Sequence, residues 1–524
     1  MNFHNREENL IKSISVLLLT FVVYRNAWLC DDAYITFRTV YNFVNGYGLT
    51  WNIAERVQVY TNPLWMFLIS GFYFITNEIY YTSIILSITI TFVTAFLIAF
   101  KIAPTTSTAV VSLITLTFSK AFIDYSTSGL ENPLTFFLLS LYLFVYFKHE
   151  ISCKVIFFLS LIAAFGVLDR IDTVLLFIPS LAYALIKLKK KKGILASLAG
   201  LIPFILWECF SLLYYGFLIP NTAYAKLNTG INWQLLGKQG LFYIANSLKI
   251  DPLTVTVIIF SIIVTILSKD RKVISATAGV ILYLLYVIRV GGDFMSSRFL
   301  VAPFLFSVII LSQSRLIINK LIWLPTLISV LLIGFLSPYP PILNTASYGK
   351  DKNLSDIRDR HGVTDERAFY YQNTGLLTDS PHKRARQWWK LKNTPVLTSA
   401  SDKNGGQEMN QKVEKRWLIG MHGFYGGPEV YIVDMFCLAD PLRARLPSRK
   451  DKPWMIGHFE RIIPDGYLES LACGQNKIKD KKLAAYYDKL CIITRGKLFS
   501  INRLIEIWKM NTGYYDNYLS LYER

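Results

Sequence analysis

The chain has 524 residues, 53% of them hydrophobic and only 17% charged. A soluble chain of this size carries about 25% charged residues, so a purely soluble globular protein is excluded. The net charge of +19 is not that of a nucleic-acid binder: no such motif is visible, and much of the positive charge lies in short clusters between apolar blocks, where cytoplasmic loops collect it.

The apolar residues fall in blocks up to about Ser337, and from Pro338 onward the composition is that of a soluble domain. In chain order the apolar segments are 10–29, 63–76, 81–100, 105–119, 133–147, 155–168, 173–186, 194–213, 253–268, 273–289, 299–313 and 321–337. The first is long for a signal-peptide core and no small-residue cleavage site follows it, so it is expected to stay as a span. Several others are shorter than the ~20 residues a crossing wants, which calls for tilt or bilayer thinning.

Charge fixes the expected orientation. The block KLKKKKG (Lys187 to Gly193) marks the cytoplasm, as do Arg6 and Lys12 at the N-terminus. An even number of crossings must separate them. The segment 63–76, opened by Asn62-Pro63 as N-cap and first helical residue, is therefore read as a helix along the outer face. Lys101, the Lys148/His149/Lys154 group, Lys269/Arg271/Lys272 and Arg315/Lys320 then all become cytoplasmic. The fold class expected is a polytopic α-helical membrane protein of about eleven spans. Residues 1–338 form the membrane module and 339–524 an extracytoplasmic α/β domain.

That parity puts the distinctive polar loops on one face. LCDDAYITFRTVYNF (Leu29 to Phe43) opens with Asp31 and Asp32, and with Arg38 it reads as a short amphipathic helix begun by two acids. A helix dipole keeps such acids ionised, and one ionised carboxylate facing a cleft is a general base for a hydroxyl. Adjacent residues point about 100° apart, so one of the pair is expected to act. In STSGLENPL, Asn132 and Pro133 start the next span and leave Glu131 to bind a hydroxylated ligand or orient a base. LDRID offers Arg170 for a phosphate, or a local salt-bridge cluster of Asp169, Arg170 and Asp172. NTAYAK offers Asn221 and Lys226, and GGDFMSSRFL brings Asp293 and Arg298 beside a Gly-Gly turn. Glu208 lies within a span, where an acid is a site hypothesis by default.

In the soluble part, Arg416 to Leu446 reads as strand, glycine-rich turn, strand and loop. Within it EVYIVDM alternates as a half-buried strand closed by Asp434. GHFERIIPDGYLE (Gly457 to Glu469) is a second dense polar stretch without an assigned role. The six cysteines show no metal-ligand spacing, and one disulfide among Cys437, Cys473 and Cys491 is open to an oxidising compartment.

DDAYITFR, NGYGLTWN, ERVQVYTNPLW, STSGLENPL, PNTAYAK, GGDFMSSRFL, VYIVDMFCLADPLRARL and GHFERIIPDGYLE occur in this order. Together they resemble the GT-C type membrane glycosyltransferases, and most closely the terminal β-(1→2)-arabinofuranosyltransferase family. The resemblance implies a multi-pass enzyme of the bacterial inner (plasma) membrane with a periplasmic C-terminal domain. It implies transfer of a sugar, such as arabinofuranose, from a polyprenyl-phosphate donor to a cell-surface glycan acceptor. The family's acidic motif in the first outer loop matches Asp31 and Asp32, one of them the catalytic carboxylate. Arg170, Lys226 and Arg298 are the expected phosphate partners, with Arg38, Glu131, Asn221, Asp293 and Asp434 as further substrate-binding positions. Membrane lipid, the lipid-linked donor and the glycan acceptor are the expected partners; no cofactor is assigned and a divalent metal is left open.

Two rival classes make different demands. A lipid-phosphate group transferase needs a histidine-rich metal site, and the six histidines are scattered. A transporter or flippase needs a polar pathway through the bilayer and inverted repeats, whereas these polar residues gather on one face.

Overall fold

Each of the twelve apolar segments is helical in the computed structural model, which describes residues 3–227, 229–314, 320–379, 412–449 and 454–519. Arg315, one of the basic residues used for orientation, lies outside the described residues. The helices Asn132–Lys148, Cys153–Asp169, Val174–Leu188 and Arg271–Val290 follow the apolar blocks to within a few residues, as does Pro63–Thr76. Side-chain caps fix several starts: Ser152 accepts the N–H of Val155, and Asp251 accepts that of Thr254.

Among the described residues, three helical stretches are long and apolar enough to cross a membrane: Tyr80–Ile102, Ile171–Leu188 and Arg271–Val290. Two bent pairs, Lys191–Gly200 with Ile202–Tyr214 and Trp233–Ile250 with Pro252–Ile266, raise the number to five if each is one span. The other apolar helices are shorter, so about eleven crossings would need them to tilt or to thin the bilayer. The helical, apolar make-up fits a polytopic membrane protein. The helix Trp233–Ile250 was not among the sequence expectations, because Gln234, Lys238 and Gln239 break its apolar run.

The chain divides into two compact units interleaved in sequence. The first comprises Met1–Cys30, Tyr80–Phe204 and Asn232–His382. Its helices meet at small residues, as expected where no water drives association. A Cβ on Gly240 would lie 2.4 Å from the Ile288 carbonyl oxygen, and one on Gly279 would lie 2.4 Å from that of Leu176. A buried ionic network ties the stretch after Pro338 into this unit. Lys120 bridges Asp124 and Asp365, Arg367 pairs with Asp124 at 3.0 Å, and the Tyr348 hydroxyl donates to Asp365 at 2.5 Å.

The second unit comprises Asp31–Ile79, Ile205–Ile231 and Lys383–Arg524. Its described residues include two parallel strands, β1 (Lys412–Arg416) and β2 (Val430–Asp434), in a register that sets Val413 opposite Tyr431. The expected glycine-rich turn between them contains a helix, Gly420–Gly426, and the first strand ends at Arg416 rather than beginning there. All five residues of β2 are buried, so the half-buried reading is corrected. Tyr431 and Val433 pack into a core with Leu442, Leu490 and Ile493, while Val430 and Ile432 pack into another with Trp51, Val59 and Ile419. A strand covered on both faces loses the polar positions that half-burial would show. Arg503 is buried against the end of Ile202–Tyr214, donating to the Leu213 carbonyl at 2.7 Å and the Tyr214 carbonyl at 2.9 Å. A cation there meets the carbonyls that a helix end leaves unpaired. Cys437, Cys473 and Cys491 are free thiols.

Candidate active site

In the second unit the acidic pair does open a helix, Asp31–Val44. The two acids have different surroundings. Asp31 is 3% exposed, and its carboxylate accepts two backbone N–H groups, from Gly420 at 2.9 Å and Met421 at 2.8 Å. These are the first residues of Gly420–Gly426, so the carboxylate meets donors that a helix start leaves unpaired. The close approach explains the glycine: a Cβ at 420 would stand 1.8 Å from the Asp31 carbonyl oxygen. Asp32 is half-buried. Asp31 is therefore the anchoring acid of the pair.

Arg38, about two turns further along, is 1% exposed. It donates to the carbonyls of Trp51 at 2.8 Å and Val430 at 2.7 Å, and its guanidinium lies 4.3 Å from the centre of the Trp51 ring. Its polar atoms join the first loop to the start of β2. Asn221 and Asp434 converge on a single loop after β2. The Asn221 amide donates to the carbonyls of Cys437, Leu438 and Asp440 at 2.9–3.2 Å and accepts from Arg445 at 3.2 Å. Asp434, with no exposed surface, accepts the N–H groups of Phe436 at 2.8 Å and Ala439 at 3.2 Å. Burial pushes its carboxyl up to about 6. Lys226 is exposed at the end of the short helix Asn221–Leu227.

In the first unit the structure brings four of the expected residues together. Glu131 occupies the N-cap position of Asn132–Lys148 without capping it through its side chain, whereas the sequence had placed the cap at Asn132. Its Oε1 accepts from Arg170 at 3.2 Å and from Arg298 at 3.3 Å. Arg170 grips Asp172 with two bonds of 2.8 Å, and the Tyr283 hydroxyl donates to the same carboxylate at 2.8 Å. Of the two readings of LDRID, the salt-bridge cluster is the one observed, although its carboxylates are Asp172 and Glu131; Asp169 accepts instead from Thr135 at 2.6 Å.

Arg298 also meets Asp293, at 3.4 Å. Its contacts are longer than those of Arg170 to Asp172, and it is the more exposed of the two arginines. The loop that carries it needs its glycines: Gly291 and Gly292 have φ of 89° and 72°. A Cβ on Gly292 would lie 2.4 Å from the Tyr243 ring.

A cavity of about 620 Å³ in the same unit was not anticipated. Lys249, Lys352, Arg358 and Arg360 line it together with Asp356, Asp359 and Asp365. Lys249 lies 103 places before Lys352, so no local pattern announces the meeting of the two. Among the described residues no three His, Cys, Asp or Glu side chains are grouped as metal ligands.

The chain is 26% identical to a terminal β-(1→2)-arabinofuranosyltransferase of Mycobacterium tuberculosis, over 84% of its own length and 82% of that protein's. A protein of the same name from Corynebacterium glutamicum is 24% identical over 54% of the chain and 47% of its own length. No protein-family model matches the chain, and no solved structure matches it.

Proposed function

The chain resembles the terminal β-(1→2)-arabinofuranosyltransferase family over most of its length, and from that premise we propose that it is an integral-membrane glycosyltransferase moving an arabinofuranosyl group. The donor in this reading is a polyprenyl-phosphate sugar and the acceptor a cell-surface glycan on the outer face. The observation that carries it is the unequal acid pair: Asp31 is held by the N–H groups of Gly420 and Met421, and its neighbour Asp32 starts the same helix.

In the reaction proposed, Asp32 takes the proton of an acceptor hydroxyl. The hydroxyl oxygen bonds to the anomeric carbon, the bond from that carbon to the phosphate oxygen breaks, and the polyprenyl phosphate leaves with the electron pair. Arg298 is the proposed contact for the donor phosphate. Its longer ion pairs can open toward an oxyanion, whereas Arg170 is committed to Asp172 and serves to position Glu131. An apolar cavity of about 420 Å³, lined by Val111, Thr115, Val257, Phe260, Val308 and Ile333 among others, suits a hydrocarbon chain.

The test is transfer from a polyprenyl-phosphate arabinofuranose by the purified chain, comparing wild type with Asp32→Asn. Transfer by wild type and its loss in the variant support the reading. Equal activity, with equal amounts of folded protein, removes Asp32 from catalysis.

A further inference from the structure

The polar stretch Gly457 to Glu469, which the catalytic reading leaves without a role, builds one wall of a small aromatic pocket in the second unit. The cavity holds about 150 Å³ and is lined by Trp417, Phe436, Trp454 and His458, with Arg449 and Glu460 at its polar side. Three of its rings are in direct contact, and Trp454 stacks on Phe459 with centroids 6.2 Å apart. Trp417 and Phe436 have centroids 5.3 Å apart at 64°, and Phe436 and His458 are 4.5 Å apart at 80°. Trp417 nonetheless keeps 45% of its surface exposed. Scattered apolar residues on a surface need no explanation, but an aromatic patch rimmed by polar groups marks a binding surface.

The chemistry of the lining selects its ligand. Indole and phenyl faces accept the flat C–H face of a saturated ring, and the lining adds a guanidinium, a carboxylate and an imidazole, groups of the kind that hydrogen-bond hydroxyls. The volume equals about five water molecules at ~30 Å³ each. That is well below the ~300–1,000 Å³ of drug-sized sites, so it holds one small ring and not a chain. A monosaccharide unit meets all these conditions.

The pocket is also linked to the acid pair within one stretch of chain. Trp417 follows directly on β1, and three residues later Gly420 and Met421 hold Asp31. The segment that forms the pocket wall thus also fixes the start of the helix carrying Asp32. We propose that this pocket is a subsite for one sugar ring of the glycan acceptor, seated so that the acceptor is held by the element that sets the catalytic acid. The inference rests on the arabinofuranosyltransferase reading for the identity of that sugar.

The experiment uses the full chain in nanodiscs and an arabinofuranosyl trisaccharide methyl glycoside as probe. Binding is read by saturation-transfer NMR and calorimetry, and transfer by acceptor and donor kinetics. Trp417→Ala and Trp454→Ala are each expected to weaken binding at least tenfold. They should raise the acceptor KM by a similar factor, with kcat and the donor KM unchanged. Trp417→Phe should recover most of the binding. Trp508→Ala, at a Trp 64% exposed on the helix Ile501–Asn511, controls for loss of a surface indole and should bind as wild type. Wild-type binding and kinetics in both Trp417→Ala and Trp454→Ala overturn the subsite while leaving the transferase reading intact. Saturable, tryptophan-dependent binding of the trisaccharide by a chain that transfers no arabinofuranose leaves the subsite standing and overturns that reading instead.

Discussion

The carboxylate of Asp31 accepts the backbone N–H of Gly420 at 2.9 Å, joining residues 389 positions apart in the chain. That bond, with its twin from Met421, turns one acid of an adjacent pair into a structural clamp. Asp31→Asn replaces one accepting oxygen by an NH₂ that faces an N–H, and it should cost about 1–3 kcal/mol of stability. Gly420→Ala should cost about as much through overpacking. Both variants are expected to lower the melting temperature and the activity together.

The two arginines of the first unit should separate in the same way. Arg170→Ala leaves Asp172 and Glu131 buried without their shared cation, a loss of about 3–5 kcal/mol. It should appear as poor recovery of folded protein from membranes. Arg298→Ala should fold and raise the donor KM at least tenfold with the acceptor KM unchanged. A rise seen with Lys352→Ala and not with Arg298→Ala would move the donor phosphate to the 620 Å³ cavity.

Lys120 stands between two acids, Asp124 and Asp365. Lys120→Met removes the cation from both and should destabilise the first unit by about 3–5 kcal/mol. Hydrogen exchange should then rise in the helix Glu366–Thr374, which follows directly on Asp365.

Asp434 gives a pH prediction with a definite sign. Its native value of about 6 lies above the ordinary 3.8, so the native state binds the proton more tightly than the unfolded chain. The contribution of this group is full below pH about 4 and falls by about 3 kcal/mol as pH rises through about 6, staying flat above that. Hydrogen exchange of residues 430–440 measured from pH 4 to 7 should show this term in wild type and not in Asp434→Asn.

Helices were legible in this sequence because their signal is local. Asn62-Pro63 and the basic clusters mark boundaries, and long apolar runs between them satisfy their backbone in a bilayer as helices. Trp233–Ile250 escaped because polar residues interrupt it. The helix Gly420–Gly426 escaped because its glycines looked like turn residues; Gly420 and Gly423 are there for close approach to Asp31 and to Trp51. The site was legible in part. Two acids at a helix start carry their own physical argument, but the clamp on Asp31 comes from the far end of the chain. The same holds for Asp172 and Tyr283, whose bond spans 111 residues. It holds also for the meeting of Trp417 with Phe436 and His458.

The most direct test is the rate of arabinofuranosyl transfer by the purified chain carrying Asp32→Asn, measured against wild type at saturating donor and acceptor. A fall in kcat of about 10²–10⁴-fold, the usual worth of a general base, in a variant that folds is the predicted result. Undiminished kcat in the folded variant would contradict the account.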